Sequence, residues 1–299
     1  MKTLKYLSLL PLAVVGLLYG TTPVFATPLL GSDLRSFTVL GASTVTNIPT
    51  STIVGNVGVW SSGGANAVTG FNSSPGVGVS DSQVTGGSVY AGGGLAQSAQ
   101  EQLTTAISNL GSLGVGITLG SDLSGLTLTP GVYTVDAGTT NLSGVLTLDG
   151  GNNTNAAWIF QMPSTLITSE NSVINLINAG SGTGIYWNVG SSATIEVNTT
   201  FLGNILALDS ITMNTNATDF CGRALASTGA VTLDQNSLSG ICTGILPGGG
   251  DLSGGLDVAT TPTGTEVNFL PYVSVPEPAT LALMALGLLG FGFGQRRQR

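Results

Sequence analysis

The chain has 299 residues, none of them histidine, and only 7% are Asp, Glu, Lys or Arg. Without imidazole there is no Ser-His or Cys-His dyad and no histidine metal site. Between residues 27 and 274, fourteen acidic side chains stand against Arg35 and Arg223 alone, a net charge of −12. That balance excludes nucleic-acid recognition, which takes its affinity from Lys and Arg on phosphates, and argues against docking on an anionic membrane.

At the N-terminus, Lys2 and Lys5 precede an apolar run from Tyr6 to Tyr19, and Val24-Phe25-Ala26 offers small residues at −3 and −1. This predicts a secretory signal over 1–26, removed by signal peptidase; the run is short for a membrane anchor. A folded body is expected over 27–246. Sparse charge with abundant Gly, Ser, Thr and Asn could suggest disorder. Dense alternating Val, Ile and Leu argue instead for an all-β body. Short runs bounded by turn residues, such as Phe37-Thr38-Val39-Leu40 and Val145-Leu146-Thr147-Leu148, read as strands. One segment differs: Leu95, Ala99, Leu103, Ile107 and Leu110 mark an amphipathic helix stopped by Gly111.

From Gly184 to Leu238 one pattern occurs three times: Ala193-Thr194-Ile195-Glu196-Val197-Asn198, Ile211-Thr212-Met213-Asn214-Thr215-Asn216 and Val231-Thr232-Leu233-Asp234-Gln235-Asn236. The threonines and the closing asparagines are each spaced by 18 and then 20 residues. Such a period predicts a solenoid with one coil per copy. Stacked coils would set Thr194, Thr212 and Thr232 about 4.8 Å apart in an outward ladder, supported by Asn214 and Asn216, with Glu196 and Asp234 interrupting the neighbouring column. Cys221 and Cys242, 21 residues apart, are expected to form a disulfide in an exported protein and to pin the last coil. A Gly/Thr/Pro-rich linker is expected over 247–274.

No Gly-x-Ser-x-Gly elbow, phosphate loop or dinucleotide motif is present. Asp209 with Asp219, or Glu196 with Asp234, could pair as glycosidase carboxylates. They read better as solvated surface acids, and the chain is expected to be no enzyme and to need neither metal nor cofactor.

The C-terminal 275–299 segment carries Pro276-Glu277-Pro278, an apolar run from Leu281 to Phe293, and Arg296, Arg297 and Arg299. It resembles the PEP-CTERM sorting signal of Gram-negative bacteria. That resemblance implies export, a transient membrane anchor, processing by an exosortase, and a place at the cell surface or in the extracellular matrix. The body also resembles a family. Phe37 to Asn47, Gly55-Asn56-Val57-Gly58-Val59, Leu126 to Tyr133, Trp158-Ile159-Phe160-Gln161, Gly203-Asn204-Ile205-Leu206-Ala207 and Gly229 to Asp234 look like blocks of the microbial ice-binding proteins of the DUF3494 type. The resemblance implies a discontinuous right-handed β-solenoid of triangular section with one long helix packed alongside. It implies adsorption to an ice crystal surface through a flat, regular face, for which the threonine ladder of Thr194, Thr212 and Thr232 with Asn214 and Asn216 is the candidate. The alternative is a structural or adhesive protein contacting extracellular polysaccharide. A monomer is expected after processing.

Overall fold

The computed structural model describes residues 27–274 except 65, 248 and 263. The expected signal peptide, Pro276, Glu277, Pro278, Arg296 and Arg297 lie outside the described residues. The fold is mostly β, with two helices among the described residues, α1 (Ser32–Arg35) and α2 (Gly94–Gly111).

Three sheets of ten, eight and six strands, parallel except where the edge strand Gly78–Val79 runs antiparallel to Val89–Ala91, are visited in rotation. Ala157–Met162 lies in the ten-stranded sheet, Leu166–Ile167 in the six-stranded and Val173–Ala179 in the eight-stranded. Gly184–Val189 then returns to the first sheet, in register beside Ala157–Met162. The alternation in sequence drives this winding. In Ala193–Ile195 the outer two residues are buried and Thr194 points out, and Ile211–Met213 repeats the arrangement.

Where the chain turns from the six-stranded to the eight-stranded sheet, Asn171, Asn198, Asn216 and Gln235 adopt left-handed backbones with φ between 54° and 61°. Asn tolerates that region better than most side chains. The amide of Asn198 donates to the Thr215 carbonyl, that of Asn216 to Asp234 and that of Gln235 to Ile48, so each corner is bonded to the next. The third corner therefore uses Gln235, one residue earlier than the repeat of asparagines suggests. Asn236 turns inward, fully buried, and donates to the carbonyls of Asn214 and Ala217.

Both faces of the ten-stranded sheet are apolar, as in sheets covered on two sides. Its inner face carries a stack of rings, Tyr133 to Phe160 at 5.9 Å and Phe160 to Trp187 at 4.0 Å between centroids, which Phe201 of the eight-stranded sheet continues at 5.1 Å from Trp187. The indoles of Trp158 and Trp187 donate to the carbonyls of Leu128 and Leu202, so their burial leaves no orphaned N–H. The outer face, with Leu40, Ile159, Tyr186, Leu206 and Leu225, is covered by α2 through Ala96, Ala99, Leu103, Ala106 and Leu110. The helix was legible in sequence; its buried stripe is shifted so that Leu95 and Ile107 flank it, only partly buried.

Coil order does not follow the chain. Phe37–Gly41 pairs with Arg223–Ala226, Thr44–Ile48 with Val231–Asp234, and Thr52–Val54 with Ser237–Ser239. The N-terminal strands thus stack on the last of the three repeats. Cys221 and Cys242 are bonded, their Cα atoms 4.6 Å apart. The coil they brace, expected at a free end, lies inside the stack.

Residues 247–274, expected to be a linker, are built into the fold. Leu252 is fully buried, and Leu256–Thr261 and Gly264–Phe269 form an antiparallel sheet with Thr27–Pro28. Leu256 belongs to the core beneath α2, and Tyr186 donates its hydroxyl to the Gly254 carbonyl. The low-complexity composition hid a few apolar anchors that this segment places against the sheet.

Candidate functional site

With α2 over the ten-stranded sheet, two sheets keep an outer face that no helix covers. On the six-stranded sheet, Thr194 is in register with Thr212, and Thr212 with Thr232. The column continues beyond the repeat: Thr232 pairs with Thr46, and Thr46 with Thr69. Ile167 closes its other end beside Thr194. Thr69 stood out in sequence only as the start of the Thr69-Gly70-Phe71-Asn72 element, and neither it nor Thr46 was placed in this column, because their coils are remote in the chain. The signal was present, since each of the five threonines follows an inward apolar residue, namely Ala193, Ile211, Val231, Val45 and Val68.

The column beside it is polar and charged. Asn214 donates to Glu196 at 2.8 Å, and the Thr215 hydroxyl donates to Asp234. Asn216, grouped with these from sequence, sits instead at the exposed corner. On the opposite flank Asp209 accepts from Ser191 and Thr228. The six-stranded face is therefore a regular hydroxyl and methyl array bordered by carboxylates.

The eight-stranded face is longer and differs in chemistry. One outward column runs Val145, Val173, Thr200, Thr218, Ser237, Thr52, each in register with the next. A second begins Thr127, Thr147, Asn175. Neither column contains a charged residue. Asp149 stands at the edge, paired with the exposed Ile177.

Both arginines of the described residues are committed to one carboxylate. Asp251 accepts from Arg35 Nε at 2.7 Å and Nη2 at 3.1 Å, and from Arg223 Nη2 at 2.8 Å. Arg223, 2% exposed, also donates to the Arg35 carbonyl, Asn204 and Ser253. Burial opposes the charge of Asp251, but the bonds from Arg35 and the nearby charge of Arg223 hold its carboxyl below the usual range. This ties α1, a central coil and the C-terminal segment together.

Asp219 corrects the expectation of a solvated acid. It points inward between Phe201 and Leu238, fully buried, and neither oxygen completes a hydrogen bond. Burial raises its pKa well above the usual carboxylate value, only partly offset by the nearby amide dipoles of Cys221 and Gly203, which close no hydrogen bond to it, and by the charge of Arg223. Among the described residues no group of three or more Cys, Asp or Glu is placed to hold a metal. Trp60 and Tyr90 pack, partly buried, against the core beneath α2, Tyr90 edge-on to Phe37 at 5.7 Å.

A family model described as ice-binding-like matches residues 39–239, and one for a PEP-CTERM protein-sorting motif matches 274–298. The chain is 39% identical over 265 residues to an ice-binding protein of Nostoc sp. (strain HG1), covering 88% of this chain and 85% of that one. It is 30% identical over 256 residues to an ice-binding protein of Flammulina populicola, covering 79% and 98% respectively. Its fold is similar to the crystal structure of an ice binding protein from an Antarctic biological consortium, with a TM-score of 0.60 and 30% identity over 78% of this chain and 96% of that one.

Proposed function

We propose that this chain, which belongs to the ice-binding-like family, adsorbs to ice crystals through a helix-free face of its solenoid and so limits their growth or recrystallisation. The observation that carries the reading is the in-register column Thr194, Thr212, Thr232, Thr46 and Thr69. Strand spacing of about 4.8 Å repeats a hydroxyl and a methyl group at every coil. Many weak contacts then add up over a rigid array whose side chains are already ordered before binding. Asn214 lies beside this column and Asn216 at its corner.

A second reading places ice on the eight-stranded face. What favours it is charge: its two outward columns contain none, whereas Glu196 and Asp234 border the threonine column. Carboxylates keep a strongly bound hydration shell that adsorption would have to strip.

Thermal hysteresis and recrystallisation inhibition are compared for the parent, Thr212→Tyr and Thr218→Tyr. Loss in Thr212→Tyr alone assigns the six-stranded face. Loss in Thr218→Tyr alone moves the site to the eight-stranded one. An inactive parent would sink the ice reading and leave contact with extracellular polysaccharide.

We infer a right-handed solenoid of triangular section, supported by the fixed rotation through three sheets and by the usual hand of parallel crossovers. The matched sorting motif supports export to the cell surface or matrix and processing by an exosortase, with residues 281–293 as a transient anchor. Among the described residues no helix is long and apolar enough to cross a membrane, and that run lies outside them.

A further inference from the structure

The chain leaves its body at an unusual place for a surface protein with an expected linker. Residues 270–274 are held down by six contacts. Leu270 donates its amide to Gly255, and the Asn155 side chain donates to the Pro271 carbonyl at 2.9 Å. The Tyr272 hydroxyl reaches the Gly151 carbonyl at 3.4 Å, and the Val273 amide donates to Asn153 at 3.1 Å. The Thr154 amide donates back to the Val273 carbonyl at 2.6 Å, and Ser274 bridges Asn153. The sorting motif begins at this last pinned residue.

Slack between body and tail is therefore short. From Ser274 to Leu281, the first residue of the apolar run, there are seven residues. Fully extended they span at most about 24 Å, at roughly 3.5 Å each. The headgroup layer takes up roughly 5–8 Å of that on its own side of the bilayer. A free linker over 247–274 would have let the body drift several times farther. At this same edge three large apolar side chains face outward within five residues: Phe269 is 42% exposed, Tyr272 64% and Val273 48%. An aromatic with a polar tip beside apolar neighbours is the composition favoured at a membrane–water interface.

We propose that this exit edge, carrying Phe269, Tyr272 and Val273, rests on the lipid interface while the tail is anchored, so that the body docks on the bilayer instead of floating above it. The inference rests on the reading of residues 281–293 as a membrane anchor. Asp149, Asp257 and Glu266 lie on the neighbouring strands, which makes a zwitterionic surface the better partner than an anionic one.

The test uses the full chain carrying Tyr272→Trp, reconstituted into phosphatidylcholine vesicles with and without brominated acyl chains. The same substitution at Val115, 69% exposed and on a different part of the body, is the control. We expect the emission added by Tyr272→Trp to lose most of its intensity in brominated vesicles, and that added by Val115→Trp to be unchanged. A Tyr272→Trp chain that ends at Ser274 should lose the quenching, since the short tether is what imposes contact. Full chains that float with the vesicles yet show no quenching at 272 would overturn the docking while leaving the anchor. Equal quenching at 272 and 115 would overturn it as unspecific adsorption. Failure of the full chain to float with vesicles would overturn the anchor reading itself and the docking with it.

Discussion

Asp219→Asn should make the protein more stable, by an amount that grows with pH. The carboxyl is sealed between Phe201 and Leu238 with neither oxygen bonded, so the folded state favours its neutral form. The folded pKa lies well above the 3.8 of an ordinary, solvated aspartate, which is what the unfolded chain presents. Below that unfolded value both states are protonated and the acid costs nothing by ionisation. As pH rises above it, the unfolded chain ionises and the folded chain does not, so stability falls by about 1.4 kcal/mol per pH unit until the folded pKa is passed. Arg223 moderates the shift without forming an ion pair with Asp219. Asparagine has nearly the same shape and leaves the same orphaned polar tip, so its buried-dipole cost cancels in the comparison. Urea midpoints of parent and variant, disulfide intact, at several values between pH 4 and 8 isolate the ionisation cost. The difference should be small at pH 4 and widen on the alkaline side. A difference that stays constant across the series would refute the claim that Asp219 folds as a neutral acid.

Other perturbations follow from the same geometry. Asp251→Ala strands the 2% exposed Arg223 guanidinium without its counter-ion and should cost about 3–5 kcal/mol, read from chemical denaturation. The parent should also lose the contribution of Asp251 as pH falls below the ordinary carboxylate range, because its folded pKa is depressed. Reducing Cys221–Cys242 removes the closure of a 21-residue separation and should cost about 3 kcal/mol; hydrogen exchange should rise first in the coil of Arg223–Ala226 and its neighbour Phe37–Gly41, and rise confined to residues 117–128 would contradict the placement. Leu103→Ala empties the centre of the α2 contact and should cost about 2–5 kcal/mol by thermal or urea unfolding.

Much of the fold was written in local alternation. Ala193-Thr194-Ile195 and its two copies set which residues face in, and a period near one coil follows from that alone. The helix was equally plain, since Ala99, Leu103 and Leu110 recur on one face and no neighbouring segment shares that period. What stayed hidden depends on partners distant in the chain. Val39 meets Ala224, and nothing near either residue announces the other; Thr46 and Thr69 joined the threonine column by the same route. Segment 251–270 was misread because composition averages over its few anchors, Leu252 and Leu256, and cannot register that Asp251 collects two arginines. Asp219 was misread for a related reason. An acid in a polar stretch looks solvated until Thr200–Phe201 and Ser237–Ser239 are seen to pair around it.

The stacking of Phe37–Gly41 on Arg223–Ala226 also orders events in time. The strands that leave the ribosome first have their lower neighbour 185 positions later in the chain, as Val39 and Ala224 show. Until that partner arrives, the N-terminal coils rest on nothing, and loop closure across the whole body must precede the pairing that rewards it. On the export route proposed above, a chain threaded N-terminus first while still being made would have no partner for Phe37–Gly41 on either side until Arg223–Ala226 had crossed, and only then could the stack close.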